Sequence, residues 1–271
     1  MRAVLVQGTD IDLGLDFVGI GTSTQRGCNV PEQRNVTPFP AEHWAIYRCA
    51  MDCARDRGLR FALGGAIGLA AYTGQWRYTK DLDLYIAPES RESMICVLSE
   101  CGLTDYYQKL AYDRGWIYRG NTADVIVDVI WGMPNRRAQV DEHWLTQGLK
   151  IEIHGEWLRV LPPEAVLWAK LFVMQRERCD WPDILNLLYA AGASMDWEWL
   201  LHQVGSDVPI LAGVLSIFRW LAPNCAANLP KWLWRIVRLP QPEKRISLDE
   251  IRHRAFLLDT RPWFLPVLDV S

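Results

Sequence analysis

Residues 61–86 read FALGGAIGLAAYTGQWRYTKDLDLYI, and this stretch decides the fold. A short apolar run leads into a Gly64-Gly65 turn, a helix of small residues follows, and a second strand carries Asp81 and Asp83. Successive side chains of a strand alternate between faces, so the two carboxylates project together, roughly 6.5–7 Å apart along the backbone. Paired carboxylates repel each other unless a cation lies between them, and a hard divalent ion is the obvious candidate. The glycine turn offers backbone N–H groups suited to a phosphate. The stretch therefore predicts a nucleotide site with a metal.

The composition predicts an ordinary globular protein. The chain has 271 residues, half of them hydrophobic, and is long enough for one large domain or two small ones. A net charge of −3 argues against a globally basic nucleic-acid binder. We find no run of eighteen apolar residues and only a short apolar stretch at the start, so we expect a cytoplasmic protein with no membrane partner. The seven cysteines include no C-x-x-C pair, and we expect them to be reduced.

The pattern changes twice along the chain. Residues 1–40 carry glycine, threonine, asparagine and proline with little periodicity, which predicts an irregular N-terminal extension. Residues 41–160 mix helical and strand periodicity, which predicts an α+β core domain with a mixed sheet flanked by helices. After Leu161-Pro-Pro163, amphipathic helical patterns follow one another, so residues 161–271 are predicted to form a mostly helical C-terminal domain.

A third carboxylate lies in the strand-like run 125–130, VIVDVI. Asp128 is the only charge in that run, and a charged side chain is almost never buried without a partner. It could face Asp81 and Asp83 from an adjacent strand, or it could pair with a buried arginine or a backbone turn. Asp124 shares its strand face but is a weaker candidate, because it lies at the beginning of the strand, where a carboxylate can be solvated. We favour three metal-binding aspartates.

These motifs carry a resemblance to a known family. Gly64-Gly65, the run RYTKDLD at 77–83 and Val127-Asp128-Val129 resemble the nucleotidyltransferase superfamily that includes DNA polymerase beta. The resemblance is greatest to its small bacterial branch, the minimal nucleotidyltransferases and AbiEii-type toxin enzymes. It extends to LPPEAVLWAK at 161–170 and RERCDWPD at 176–183, which are similar to the family's second element, and covers about residues 44–190.

The resemblance implies transfer of a nucleoside monophosphate from an NTP such as ATP to an acceptor hydroxyl, with release of pyrophosphate. It implies that Asp81 and Asp83 hold two Mg²⁺ (or Mn²⁺) ions, and that Asp128 completes the shell of one ion and orients or helps to deprotonate the hydroxyl. Backbone N–H groups at Gly64 and Gly65 would contact the phosphates.

Three basic residues are candidates for nucleotide binding. Lys170 lies on an otherwise apolar helical face, where a lysine is unexpected unless its ammonium group reaches a phosphate or a carboxylate. We weigh the phosphate role against a packed stem that extends the ammonium group to solvent. Arg77 and Lys80 flank the metal strand; we expect one to contact the triphosphate and the other to pair with a surface carboxylate. Asp180 and Asp183 are predicted to form a structural cluster at a helix N-terminus with Arg176 or Arg178.

The acceptor is left open by the sequence. A small hydroxylated molecule is our first hypothesis. A toxin-like enzyme that modifies tRNA or a protein is the alternative, because residues 231–254 hold seven Lys and Arg against three acids, although a solvated helix face explains such a run more often. A nucleotide-binding or partner-binding module without turnover is a third hypothesis, which the clustered carboxylates disfavour.

Overall fold

The computed structural model describes residues 39–79, 81–242, 245–261 and residue 264. Two predictions therefore lie outside the described residues: the irregular extension, of which only residues 39 and 40 are described, and the placement of Lys80. The assignment of domains with a boundary at residue 160 stays a prediction.

A mixed sheet forms the centre of the first half of the chain. The described residues give it five strands in the order β1-β2-β5-β4-β3, of which β2 and β5 run parallel and the other neighbours antiparallel. The strands are β1 Ala62–Leu63, β2 Asp81–Tyr85, β3 Thr104–Asp105, β4 Ile117–Thr122 and β5 Val125–Ile130. The helices of this half are α1 Ala41–Asp56, α2 Gly65–Thr73, α3 Arg91–Glu100 and α4 Glu142–Thr146.

The rest of the described chain is a hairpin followed by helices. The hairpin pairs β6 Lys150–Ile153 with β7 Glu156–Arg159. The helices are α5 Pro163–Leu171, α6 Trp181–Ala191, α7 Trp197–Val204, α8 Val208–Leu221, α9 Pro223–Ala226, α10 Lys231–Ile236 and α11 Leu248–Leu258. The predicted fold class, an α+β mixed sheet followed by a mostly helical part, is confirmed.

The alternation of β2 and β5 separates a core face from a polar face. Leu82, Leu84, Val127 and Val129 are fully buried, whereas the aspartates alternate with them and project to the opposite side. Helices α1 and α3 both contact β5, and α2 packs against β2, α5 and α6. The apolar residues thus fix which side of the sheet the carboxylates occupy, because a shift of one residue would bury every charge.

One predicted helix is shorter than its pattern. The periodicity predicts a helix over residues 164–175, but α5 ends at Leu171. The chain then turns back, because the N–H of Asp180 donates to the carbonyl of Val173 at 2.9 Å and Met174 bridges Cys179. This return places Asp180 directly before α6, beside the last turn of α5.

The apolar stretch Trp197–Leu221 passes a length-and-composition test for a membrane span, a test that core helices of soluble proteins also pass. In the structure it is divided into α7 and α8 at Gly205, whose φ is +54°. A straight span of the hydrocarbon core takes about 20 helical residues, and neither helix reaches that length.

The cysteines differ from the sequence expectation at one pair. Cys49 on α1 and Cys101, directly after α3, form a disulfide with their Cα atoms 6.1 Å apart. The expectation that all cysteines are reduced is therefore wrong for this pair. Sequence spacing gives no sign of the approach, because the two residues lie 52 positions apart.

Candidate active site

Three side chains stand in a row across the polar face of the sheet. Asp83 on β2 is the register partner of Asp128 on the parallel strand β5, and Asp128 is the register partner of Arg119 on the antiparallel strand β4. Register partners point to the same face, and neighbouring strands lie about 4.8 Å apart. Asp81 projects on this face two residues before Asp83. The structure thus brings the three predicted aspartates to one place, the wall of a single cavity.

The first turn of α2 lies directly against this row. Gly65 has a φ of +51°, a left-handed conformation that favours glycine, and a Cβ atom there would overlap Oδ2 of Asp83. A Cβ atom at Gly64 would overlap the ring of Tyr85. Gly65 and Ala66 line the cavity, so the start of a helix faces the carboxylates. The glycine pair is required because the backbone comes this close to Asp83 and Tyr85.

Asp128 is paired as well as clustered. Its carboxylate, which is only 3% exposed, accepts two hydrogen bonds from Arg119, from Nε at 2.7 Å and from Nη2 at 2.6 Å. Both alternatives that the sequence left open are therefore present: Asp128 faces the other aspartates and also pairs with an arginine. Burial raises the pKa of Asp128, and the Arg119 guanidinium opposes that rise.

Sequence reasoning missed Arg119, although a signal was available. Strands β4 and β5 are joined by Ala123 and Asp124, and a two-residue hairpin turn fixes which residues face each other. Counting back from that turn pairs residue 119 with residue 128. The turn went unnoticed because it carries no glycine; Ala123 takes the positive φ, +45°.

The electrostatics of the site favour a bound cation. Burial raises the pKa of Asp83 to about 7, and the charges of Asp128 and Asp81 add to the rise, while Lys170 and Arg119 oppose it. A carboxyl with an ordinary pKa of 3.8 is thus kept partly protonated near neutral pH by its surroundings. A divalent cation would reverse this, since it stabilises each of the carboxylates that now repel one another.

The donor set fits a divalent ion, but the carboxylates are not gathered around one point. Within the described residues, the groups of potential ligands whose donor atoms all lie within 4.8 Å of one another do not include the three aspartates together. Both oxygens of Asp128 accept hydrogen bonds from Arg119. The oxygen donors are those that Mg²⁺ and Mn²⁺ prefer.

The other polar groups near the row have separate partners. The Thr79 hydroxyl donates to Oδ1 of Asp81 at 2.5 Å, which orients that carboxylate. Arg77 lines the cavity and is exposed, as a residue that contacts a bound triphosphate would be.

Lys170 lies at the cavity but is held by two carboxylates. Its Nζ donates to Asp180 at 2.9 Å and to Asp183 at 2.7 Å, and Arg178 also donates to Asp180 at 2.9 and 2.8 Å. Burial raises the pKa of Asp180, but Arg178 and Lys170 outweigh burial, and the pKa lies below its ordinary value. The predicted structural cluster at the start of α6 is thus present with Arg178, whereas the exposed Arg176 lies beside Glu177. Lys170 belongs to this cluster and also acts on Asp83 through its charge.

The cavity holds about 390 Å³. One side is the polar row and the start of α2, and other walls are apolar, formed by Trp116, Ile117, Met133, Pro134 and Val173. Polar groups on one side and apolar surface on another are typical of sites that bind small molecules.

The basic stretch 231–254 is partly neutralised. On α11, Arg252 pairs with Asp249 at 3.2 Å and Arg254 with Glu250 at 2.8 Å, and Arg254 also donates to the carbonyl of Trp220. These arginines are engaged within their own part of the fold.

The chain was compared with protein-family models, curated proteins and solved structures. Neither a protein-family model nor a curated protein matches the chain. The chain is similar to the solved structure of ANT(2'')-Ia in complex with adenylyl-2''-tobramycin, with 16% identity over 66% of this chain and 98% of that one, at a TM-score of 0.39. It is similar to the lincosamide antibiotic adenylyltransferase LnuA in its lincomycin-bound form, with 17% identity over 57% of this chain and 98% of that one, at a TM-score of 0.38. JHP933 from Helicobacter pylori matches with 14% identity over 81% of this chain and 91% of that one, at a TM-score of 0.37.

All three TM-scores lie below 0.5. The fold and the site together define an α+β protein with a carboxylate-lined cavity beside the glycine-rich start of a helix.

Proposed function

We propose that the chain transfers a nucleoside monophosphate from an NTP such as ATP to a hydroxyl group of a small molecule, with release of pyrophosphate. The reaction depends on two divalent ions, Mg²⁺ or Mn²⁺. One observation carries the proposal: Asp83 and Asp128 are register partners on parallel strands, Asp81 shares their face, and the start of α2 lies against them. Three acids on one face repel one another and serve no packing purpose, and Asp128 is also buried.

Asp81, Asp83 and Asp128 would hold the ions. Metal ions bound there supply charge neutralisation for the triphosphate and activation of the attacking hydroxyl. Gly65 and Ala66 at the start of α2 face the same space, so backbone N–H groups and the positive end of the helix favour phosphate oxygens there. Thr79 keeps Asp81 oriented through its hydroxyl.

Asp128 is the residue that we assign to the acceptor hydroxyl, which it orients and helps to deprotonate. Burial raises its pKa, and a base is most effective when its pKa lies closer to the working pH. Arg119 keeps the buried carboxylate paired until it meets the acceptor, so the charge is never left without a partner. Arg119 acts here as a positioning residue.

The nucleotide and the acceptor divide the cavity between them. Arg77 at the open edge is assigned to the triphosphate, and Lys170, anchored by two carboxylates, adds positive charge close to Asp83. The apolar wall that includes Trp116 and Met133 is left for the acceptor. A volume of about 390 Å³ suits a small molecule, and the ion pairs on α11 reduce the basic charge available to tRNA.

The test is a labelling experiment. The purified chain is incubated with each α-labelled NTP, Mg²⁺ or Mn²⁺, and separate pools of hydroxylated small molecules, tRNA and protein, and pyrophosphate release is followed in parallel. We expect label in a small molecule together with released pyrophosphate. The Asp83→Asn variant should lose both signals. Asp124→Asn is the matched control, because it removes the same charge from an exposed position in the turn before β5 and should leave activity unchanged.

Three results would contradict the proposal. Labelling that survives Asp83→Asn would remove the metal assignment. Binding of the NTP without pyrophosphate release under every condition would favour a binding module. Label in tRNA, with an activity that falls steeply as salt is added, would favour the nucleic-acid acceptor, since phosphate contacts are strongly salt-dependent.

A further inference from the structure

Three cysteines lie close together where α1 and α3 meet, and none of them lines the cavity. Cys49 and Cys53 lie one helical turn apart on α1, and Cys101 follows α3. Cys49 and Cys101 are bonded, while Sγ of Cys53 lies 3.8 Å from Sγ of Cys101. All three sulfur atoms lie within 4.8 Å of one another. A disulfide and a free thiol are thus in contact.

We propose that Cys49, Cys53 and Cys101 form a redox centre in which Cys101 exchanges its disulfide partner between Cys49 and Cys53. Two thiols on one helix face can each reach the same sulfur atom, because residues four apart on a helix are neighbours.

The exchange conserves atoms and electrons. The Cys53 thiolate attacks Sγ of Cys101, the new Cys53–Cys101 bond forms as the Cys49–Cys101 bond breaks, and Cys49 leaves as a thiolate. The proton released by Cys53 is taken up by Cys49 through solvent, so nothing is oxidised overall. The attacking Cys53 and the attacked Cys101 are both only partly buried, so a small thiol can reach them.

Electrons enter and leave through a small thiol and its disulfide, such as glutathione. Two molecules of the reduced thiol convert the protein disulfide to two thiols and become one small disulfide, and the reverse reaction restores the bond. When a small thiol forms a mixed disulfide with Cys101, either Cys49 or Cys53 can displace it. A neighbouring resolving cysteine of this kind is typical of exchangeable rather than permanent disulfides. The centre is independent of the proposed transferase activity.

The test maps disulfides in the full chain. The protein is reduced, reoxidised with oxidised glutathione, trapped with N-ethylmaleimide and digested, and linked peptides are identified by mass spectrometry. We expect both Cys49–Cys101 and Cys53–Cys101 links in the parent protein. Cys49→Ser should retain only the Cys53–Cys101 link and Cys53→Ser only the Cys49–Cys101 link. Cys101→Ser should lose both.

The matched control is Cys96→Ser, which removes an exposed, unbonded thiol from α3 and should leave both links in place. The circular dichroism of each variant is compared with that of the reduced parent, so a folding defect is recognised separately. Complete alkylation of Cys101 in reoxidised, folded Cys49→Ser would overturn the proposal. Stoichiometric zinc in the purified protein, with all three thiols protected until a chelator is added, would overturn it in favour of a metal–thiolate site.

Discussion

Replacing Asp83 by asparagine should stabilise the metal-free protein while abolishing its activity. The carboxamide keeps the shape of the side chain but removes a charge that burial, Asp128 and Asp81 all disfavour. The folded-state pKa of Asp83 is about 7, against an ordinary 3.8. At about 1.4 kcal/mol per pKa unit, this difference sets a ceiling of about 4 kcal/mol on the gain. Asp83 lines the cavity and is partly exposed, so we expect a gain of about 2–4 kcal/mol in the free energy of unfolding.

The gain should depend on pH with a definite sign. Below about pH 3.8, Asp83 is protonated in both the folded and the unfolded chain, so the substitution changes little. As the pH rises from there to about 7, the unfolded chain releases its proton and the folded chain retains it, and the parent protein loses stability. Asparagine does not titrate. The advantage of Asp83→Asn therefore grows through this window and is complete above it.

The assay is thermal unfolding in the presence of a chelator at pH 4.5 and pH 8. We expect a higher melting temperature for Asp83→Asn at pH 8, by roughly 5–10 °C, and a smaller difference at pH 4.5. Asp124→Asn, in the exposed turn, should change stability by less than about 0.5 kcal/mol at either pH. Added Mg²⁺ should stabilise the parent protein and not the variant. An equal or lower melting temperature for Asp83→Asn at pH 8, or a gain that is the same at both pH values, would refute the crowding of carboxylates on which the site depends.

Three further substitutions probe the neighbours of this row. Arg119→Met leaves the buried carboxylate of Asp128 without its partner, so we expect the free energy of unfolding of the metal-free protein in urea to fall by about 2 kcal/mol. Mg²⁺ should restore part of this loss. An unchanged urea midpoint would contradict the pairing. Gly65→Ala places a Cβ atom against the Asp83 carboxylate and puts alanine at a positive φ. We expect at least a tenfold loss of kcat, about 1.4 kcal/mol, with an unchanged helical circular dichroism spectrum. Full turnover would show that the close approach of α2 to Asp83 is not needed. Lys170→Met removes a charge that lowers the pKa of Asp180. The ion pair between Lys170 and Asp180 stabilises the fold at pH values above the ordinary aspartate pKa, and this stabilisation is lost as the pH falls. The stability lost by this variant should therefore be larger at pH 7 than at pH 3 in urea unfolding, and a loss independent of pH would argue against the ion pair.

Local pattern was sufficient for most elements of the fold. The apolar spacing of residues 41–57 predicted α1, and the alternation of Asp81 and Asp83 with leucines predicted both β2 and its polar face. The predicted helix over residues 164–175 was too long, because its end depends on hydrogen bonds between Val173 and the distant Asp180. A solvated helix face was the favoured interpretation of residues 231–254, and α10 and most of the first two turns of α11 lie in that stretch, although its charges did not predict where either helix begins or ends.

The candidate site was predicted in part. The isolated charge of Asp128 within an apolar strand indicated that it has a partner, but the sequence could not say whether the partner is a metal or an arginine. The register of β4 against β5 places Arg119 beside it. The apolar face around Lys170 indicated that its ammonium group reaches a phosphate or a carboxylate, and the return of the chain after α5 gives it two carboxylate partners.

The sequence by itself determined which side chains share a face, because the two-residue period of a strand and the apolar residues that must be buried leave one orientation for Asp81, Asp83 and Asp128. Tertiary structure decided which faces meet. It set the register between β4 and β5, brought the glycine turn of α2 against Asp83, and joined Cys49 to Cys101 across two helices. Contacts between distant segments depend on the packing of the whole chain, and no local periodicity encodes them.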